Sequence, residues 1–411
     1  MLTCRAMEFS SVKSNKVIVG ILFLVLVSIT GTLAIARDRE VSTGTSVGHL
    51  DACDCGKVTS DTGGDRICWV EDCSPCPCVY GYAEGLFLER SNGSFDQPVL
   101  VRVQNAVPVA TDLSTSDLDF DFDPALRVLV GRRLHNGWAL EGSYLGLFDA
   151  NSLAYVQAPS NPPEDDPISL TFPPGGLGSG TNVFANINRS WVHYTSALHS
   201  AELNLVACCG CLGNRECSKG DDGCKGDGVC EQMHHLTVER FAGFRYLRLS
   251  ERFHLYAEAD REPTGGGPLE TESGFYDIRT GNDLYGLQFG ARLRRWGPRL
   301  GWEATGKAGI FGNDASQRQS VIDWDNGPFE RRSAARDGGQ AAFVGELNFT
   351  GIYRLNDVWN LRAGYNLIWI AGVALAPDQL DFSGLEAAGN QLSSNGDVFL
   401  HGVSCGLEAR W

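Results

Sequence analysis

The sequence lacks several features that would assign it to a common class. None of its apolar runs reaches the roughly 18 residues that a mature helical span requires, which excludes a helical membrane protein. Positive charge is scarce, since 34 Lys and Arg face 50 Asp and Glu for a formal net charge of −16. A nucleic-acid-binding protein needs a basic face, so this class is excluded as well. Methionine is nearly absent, with 3 residues in 411.

Glycine and aromatic residues are plentiful. The 411 residues include 49 Gly, 10% are aromatic and 43% are hydrophobic. This hydrophobic content excludes a chain that is disordered throughout. Glycine with aromatic residues favours many strands and turns over helices.

The first 36 residues have the pattern of a secretory signal peptide. Lys13 and Lys16 precede an apolar stretch over 17–29, and small residues follow up to Ala36. A charged start, a short apolar core and an A-x-A-like end are typical of a cleaved leader. A single membrane anchor is the alternative, but the segment is short for a span. The mature chain is therefore expected outside the cytoplasm.

Twelve of the 14 cysteines fall into two groups of six, which suits an exported chain. One group defines a Cys-rich N-terminal segment over 37–78, and the other lies between 208 and 230. The members are Cys53, Cys55, Cys68, Cys73, Cys76 and Cys78, then Cys208, Cys209, Cys211, Cys217, Cys224 and Cys230. Two disulfide-stapled segments are predicted rather than metal sites, because the spacing is not a clean pair of CxxC motifs. Six cysteines allow about 15 pairings, so the connectivity stays open.

Residues 79–411 repeat one pattern of alternating polarity. In 341–355, Phe343, Leu347 and Phe349 share one face, and Glu346 and Asn348 share the other. Alternation with a period of two marks strands with two different faces. Strands of about 10–16 residues are long enough to cross a bilayer at a tilt, and charged residues with Gly on the other face suit a wet interior. The pattern predicts an all-β fold, a transmembrane antiparallel up-and-down β-barrel.

Counting gives about twelve strands. Eleven are evident, including separate strands at 235–249 and 252–259, and a further one near 181–188 makes the number even. All long loops, the Cys-rich loop 207–234 among them, are then expected on one side, with the short turns and both termini on the other. The negative charge is concentrated in these loops, and acidic loops over a pore mouth would favour cations.

Charged residues on the polar strand faces are candidates for lining the barrel interior. They are Arg127, Arg133, Glu141, Glu202, Glu258, Arg292, Arg294, Glu303, Lys307, Glu346, Arg354 and Arg362. Two hypotheses remain open for them. They line a water-filled channel and set its selectivity, or they pair across the lumen and plug it.

Three short segments resemble a β-barrel porin family common in planctomycete bacteria. They are Tyr82–Leu88, Ser200–Asn204 before the Cys-rich loop, and Gly243–Leu249. The resemblance extends over roughly 79–411 and implies an outer-membrane barrel with a pore role. It implies no catalytic or binding residue.

The sequence therefore predicts a bacterial outer-membrane porin that lets small solutes diffuse passively, with outer-membrane lipid and small solutes as its partners. The alternative is a structural or surface-binding barrel that acts through its Cys-rich and acidic extracellular loops. No enzyme activity, cofactor, metal or nucleic-acid partner is predicted, and the sequence leaves the oligomeric state open. A membrane hydrolase would need His193 or His199, together with a Ser or Asp across the sheet.

Overall fold

The computed structural model describes residues 79–104, 107–134, 137–158, 168–173, 176–177, 183–212, 236–261, 267–324, 328–384 and 388–411. The predicted signal peptide and the Cys-rich segment 37–78 lie outside these ranges. The predicted disulfides also lie outside what is described, since only the backbone of Cys208, Cys209 and Cys211 is included.

Thirteen strands make up the described part of the fold. They are β1 (Val79–Arg90), β2 (Pro98–Gln104), β3 (Val107–Ser114), β4 (Phe122–Arg133), β5 (Trp138–Gln157), β6 (Ile168–Thr171), β7 (Arg189–Leu212), β8 (Leu236–Arg261), β9 (Glu270–Trp296), β10 (Leu300–Trp324), β11 (Pro328–Arg354), β12 (Trp359–Val373) and β13 (Gly396–Arg410). Single 3-10 turns lie at Thr115–Asp117, Val183–Ala185 and Pro377–Gln379. No helix among the described residues has the length and apolar character to cross a membrane.

Ten of these strands form a closed antiparallel barrel, in the order β1-β13-β12-β11-β10-β9-β8-β7-β5-β4. The barrel closes where β1 pairs with both β13 and β4. The remaining strands form a three-stranded sheet in the order β3-β2-β6. The all-β antiparallel barrel is thus as predicted, with ten strands in place of about twelve.

The count differs at two places. No turn interrupts the chain at 250–251, because Ser250 and Glu251 are paired with β7 on one side and β9 on the other. In the segment near 181–188, the described residues 183–188 contain a 3-10 turn instead of a strand, and Val183 and Phe184 are fully buried. Removing one strand and merging two others leaves ten.

The two rims of the barrel differ in their connections. At one, the short-turn rim, three tight turns join neighbouring strands, and in the first of them Gly137 has a φ of 76°, which favours glycine. Both ends of the described chain lie there. At the opposite long-loop rim, the connections β8–β9 and β10–β11 are only 262–269 and 325–327, because most of the predicted loops 260–283 and 312–339 is strand.

The Cys-rich connection leaves the barrel at the short-turn rim. Leu212 ends β7, Leu236 begins β8, and the two are Cα partners. Placing this connection with the long loops was wrong. The predicted extra strand before β7 reversed the expected chain direction, which placed this connection at the wrong rim. The predicted extra turn inside β8 then reversed the direction a second time, so the later loops were placed correctly.

The outer surface carries an apolar band towards the short-turn rim. On β11, Phe343, Leu347 and Phe349 are 37%, 49% and 59% exposed, while Val344 and Glu346 between them are buried. Other exposed members of the band are Phe87, Leu203, Phe244, Leu287, Phe289, Leu293, Trp302, Ile310, Trp369 and Val403. The hydrophobic side chains at alternate positions therefore point out of the barrel.

Beyond the band, β7 to β11 continue as a projecting wall. On β9 the band ends at Tyr285, and the next outward residues are Asp283, Gly281, Arg279 and Asp277. The strand begins at Glu270, 15 positions before Tyr285. Inside this wall the packing resembles a soluble core, with Tyr194, Phe253, Tyr276 and Ile278 fully buried. The core also includes residues of two connections. Leu100, Leu118 and Phe120 lie between β1 and β4, and Leu375 and Ala376 lie between β12 and β13.

Candidate functional site

The interior at the level of the apolar band contains an ion-pair network. Charged residues at inner strand positions are aimed at one another because neighbouring strands place alternate side chains inside. The carboxylates are Glu84, Glu141, Glu202, Glu239, Glu303, Glu346 and Glu408, and the cations are Arg127, Arg245, Arg292, Arg294, Lys307, Arg362 and Arg410. Seven negative and seven positive groups balance.

Glu346 is the centre of one part of this network. Its carboxylate accepts from Arg127 Nη2 at 2.7 Å and from Arg245 Nη1 at 3.2 Å, and lies 3.1 Å from Lys307 Nζ. Lys307 is the Cα partner of Glu346 on the adjacent strand, whereas Arg127 and Arg245 reach it from β4 and β8. The lumen is therefore bridged from wall to wall.

Arg362 is the centre of a second part. It donates from Nε to Glu84 at 2.7 Å, from Nη1 to Glu408 at 2.7 Å and from Nη2 to Glu303 at 3.0 Å. Its guanidinium carbon lies 4.3 Å from the centre of the Tyr82 ring. Every nitrogen of this buried side chain has a carboxylate partner.

Arg292 of β9 and Glu141 of β5, which lie three strands apart around the barrel, form a bidentate pair. The two N···O distances are 2.8 and 2.9 Å, Tyr80 Oη donates to Glu141 at 2.6 Å, and Glu239 accepts from Arg292 at 2.9 Å. The space left among the network side chains for the centres of water molecules is about 30 Å³. Such a cavity holds only a few waters, and in this conformation the charged side chains pair with one another across the lumen.

The structure brings together nine of the twelve predicted interior residues, namely Arg127, Glu141, Glu202, Arg292, Arg294, Glu303, Lys307, Glu346 and Arg362. Arg133 lies at the edge of the network, 3.9 Å from Glu239.

Two predicted residues lie elsewhere. Glu258 faces outward and pairs with Arg189 at 2.9 Å, because β8 continues through 250–251 without a turn and Glu258 keeps the outward phase of Phe244. Arg354 is exposed at the short-turn rim, with its guanidinium 5.5 Å from the centre of the Trp296 ring. It shares the inner phase of β11 but lies at the end of the strand, beyond the network.

Five members were missed by sequence reasoning: Glu84, Glu239, Arg245, Glu408 and Arg410. Their signal was available. Arg245 alternates with Phe244 and Tyr246, which face outward, so strict alternation would have placed it inside.

A second layer closes the interior on the long-loop side. The segment 374–384, between β12 and β13, lies in the barrel mouth and is held by side chains of the inner wall. Ala374 N donates to Asn282 Oδ1 at 2.7 Å, Ala376 N donates to Glu251 Oε2 at 2.9 Å, and Gln319 Nε2 donates to the carbonyl of Gln379 at 2.6 Å. We call residues 374–384 the mouth segment.

A buried charge lies beside the mouth segment and a half-buried one lies within it. Arg90, with no exposed side-chain surface, pairs with Glu251 and donates to Tyr194 Oη at 2.9 Å. Asp378 accepts from Phe95 N at 2.7 Å, and burial raises the pKa of its carboxyl group to about 6. The mouth segment thus includes a carboxyl group whose pKa lies above its ordinary value.

The two histidines considered as catalytic candidates lie on outward strand positions. His199 Nδ1 is 2.8 Å from Tyr144 Oη. His193 is the Cα partner of His254, whose Nδ1 is 3.1 Å from Asp277 Oδ1, so an Asp and a His do meet here, through a histidine that sequence reasoning did not consider. No described group of three His, Cys, Asp or Glu side chains is placed to hold a metal ion.

The family model described as Putative beta barrel porin-7 (BBP7) matches residues 195–411, which is more than half of the chain. The chain belongs to this family. The matched region begins within β7 and includes β8 to β13. It therefore contains most members of the ion-pair network, including Glu346 and Arg362, and the mouth segment.

No curated protein matches the sequence. Among solved structures, the chain is similar to the outer membrane protease OmpT from Escherichia coli, with 9% identity, a TM-score of 0.37 and coverage of 81% of this chain and 96% of that one. An outer-membrane expressed OmpT of Vibrio cholerae (11% identity, TM-score 0.12, coverage 81% and 98%) and an anion-selective porin from Comamonas acidovorans (8%, 0.13, 81% and 98%) also match. At these TM-scores the likeness carries no argument about function.

Proposed function

We propose that this protein is an outer-membrane barrel whose lumen is closed to solutes in the conformation described, and that it acts as a structural or surface-binding barrel through its long-loop end. Family membership supports the outer-membrane placement. The apolar band supports it too, since on β9 the band extends from Tyr285 to Leu293 and on β11 from Ala341 to Tyr353. Membrane strands need about 9–11 residues. The long-loop rim would then face outside.

The observation that carries the proposal is the double closure of the interior. The ion-pair network leaves room for only a few waters. The mouth segment covers the long-loop end, with Leu375 and Ala376 fully buried. A hydrated solute would have to separate several buried ion pairs and displace this segment.

Conductance in planar lipid bilayers tests the closure. We expect no current steps above background from the wild-type protein. The triple variant Arg127→Ser, Lys307→Ser and Glu346→Ser, made in a chain from which the mouth segment is also deleted, removes both closures. It should conduct, which shows that inserted barrels can be detected. The control variant Asp112→Ser, which breaks a surface pair with Arg102, should remain silent. Steps of similar size from wild type and the triple variant would overturn the proposal.

Passive diffusion of small solutes is the second candidate, and the family description as a porin favours it. In this case the mouth segment would leave the lumen. This is feasible because the contacts that hold it are hydrogen bonds and packing, which break reversibly. Replacing Gln319 and Gln379 with cysteines places a disulfide where a side chain now contacts the backbone. Conductance of the wild type, together with conductance of the double-cysteine variant that is lost on oxidation and returns on reduction, would support the porin.

The proposed role includes no catalytic step. A hydrolase would show activity on lipid or peptide that disappears in His193→Ala or His254→Ala, because these two residues and Asp277 meet on the outer wall. Such activity, lost in these variants and retained in His401→Ala, would replace the proposal with an enzyme.

A further inference from the structure

The outer face of the projecting wall carries three arginines in one row. Arg252 on β8 is the Cα partner of Arg279 on β9, which is the Cα partner of Arg318 on β10. All three occupy outward positions. Like charges directly opposite one another destabilise a sheet, so the row is expected to have a counter-ion.

The wall itself supplies one carboxylate to this row. Asp277 accepts from Arg252 Nε at 2.5 Å and from Arg279 Nε at 2.9 Å. Both contacts use Nε, so the terminal amino groups of the two guanidiniums are available to another acceptor. Arg318 has no carboxylate partner among the described residues. Of the other acidic residues of this face, Asp283 and Asp314 lie two outward positions nearer the apolar band. The exposed Asp337 is the Cα partner of Ser316, one outward position from Arg318.

An aromatic row crosses the same face about 13 Å further along the strands. Tyr155, Trp191, Tyr256 and Phe275 are consecutive Cα partners on β5, β7, β8 and β9, and all face outward. The rings of Trp191 and Tyr256 stack with their centres 4.2 Å apart, and Tyr155 is more than half exposed. Guanidinium groups and flat aromatic rings thus share one face beyond the band, in two rows about 13 Å apart.

We propose that this face binds the phosphorylated sugar headgroup of an outer-leaflet glycolipid, an inference that rests on the proposed outer-membrane placement. The arginines would take the phosphate groups, since guanidinium donors match phosphate oxygens in pairs. The aromatic row would stack against sugar rings. A glycolipid fits this face because its headgroup presents phosphate groups to the arginine row and sugar rings to the aromatic row.

The height of the arginine row separates a glycolipid from an ordinary phospholipid. Tyr285 marks the end of the band on β9, and Arg279 lies six residues further on. At a strand tilt near 40°, six residues correspond to about 15 Å perpendicular to the membrane. Phospholipid headgroups extend only about 5–8 Å beyond the hydrocarbon. A phosphate attached to a sugar reaches further.

Binding to the full-length, detergent-solubilised protein tests the proposal, with a lipopolysaccharide that carries core phosphates as the probe. The variant Arg252→Gln, Arg279→Gln, Arg318→Gln should bind about a hundredfold more weakly, if each arginine contributes as basic residues do at anionic membrane surfaces. The matched control replaces three exposed arginines near the short-turn rim, Arg132, Arg240 and Arg295, and should bind like wild type. Trp191→Ala should weaken binding to the same probe and leave any affinity for inorganic phosphate unchanged.

Three results would overturn the proposal: equal binding by both triple variants, displacement of the probe by millimolar inorganic phosphate, and equally tight binding of phosphatidylglycerol vesicles. The second would indicate a site for free anions, and the third a general anionic lipid surface. Folding of the variants is checked by the shift in gel mobility between heated and unheated samples. Because this assay uses detergent, its outcome is independent of whether the lumen conducts and of where cell fractionation places the protein.

Discussion

Replacing Glu346 with glutamine tests whether the interior charges are dry. The substitution keeps the size of the side chain and removes the charge that Arg127, Arg245 and Lys307 share. Arg127 would be left with Glu84 at 3.9 Å, and Arg245 with Glu202 at 3.4 Å. Three buried cations would thus lose their closest common partner.

The expected cost follows from burial. Removing one partner of a buried ion pair typically destabilises a protein by about 3–5 kcal/mol, because the remaining charge stays desolvated. The side chain of Glu346 is 1% exposed, so we expect this full range, a factor of about 10² to 10³·⁵ in the unfolding equilibrium. Asp112→Asn breaks the pair with the partly exposed Arg102 and should cost about 0–1 kcal/mol.

Urea unfolding in neutral detergent, followed by tryptophan fluorescence, provides the two free energies by linear extrapolation. The variants are comparable if their slopes with urea agree. A cost for Glu346→Gln within about 1 kcal/mol of that for Asp112→Asn would refute the reasoning. It would mean that water solvates the interior charges, as in an open channel.

Two further predictions concern the mouth segment and the closure of the barrel. Burial raises the pKa of Asp378 to about 6, so the protonated form of this carboxyl group is favoured in the folded state. Stability therefore falls as pH rises from about 4 to 6. Asp378→Asn should raise the Tm at pH 7.5 and match wild type near pH 4. Asp381 provides the opposite control. Burial raises the pKa of its carboxyl group, but hydrogen bonds from Ser383 and Gly389 outweigh burial, and the net pKa is lowered. Asp381→Asn should therefore lower the Tm at pH 7.5, and this difference should be lost as pH falls below about 4. Equal pH profiles for both variants would contradict these assignments. At the β1–β13 seam, Gly402→Ala places a Cβ 1.9 Å from the carbonyl oxygen of Phe87 and should reduce the folded, heat-modifiable fraction on gels. The control Gly85→Ala, whose Cβ would lie 4.0 Å from its nearest neighbour, should fold normally. Normal folding of both variants would show that the backbone at the seam shifts to make room.

The barrel wall could be predicted from sequence because alternation is a local property. β11 reads correctly from its own residues, with Phe343, Leu347 and Phe349 outside and Glu346 inside. The same rule identified nine of the network residues. What it could not provide is pairing across the lumen, since Arg127 and Glu346 are 219 positions apart in the chain.

The strand count failed for a non-local reason. Ser250 and Glu251 look like a turn because both are polar, yet Glu251 is buried and pairs with Arg90 of β1, 161 positions away. Strand ends failed similarly. Residues 270–283 and 312–324 are polar enough to look like loops, but each continues the hydrogen-bond ladder of its neighbour above the apolar band.

The projecting wall sets how far the molecule stands above its surroundings. On β10 the outward face loses its apolar character near Gly312, and the strand continues to Trp324. Twelve residues at this tilt rise about 30 Å, comparable to the hydrocarbon thickness itself. With the proposed orientation, the tip would be a stiff platform above the headgroup layer, where an antibody, a phage fibre or a neighbouring cell could reach it without touching lipid.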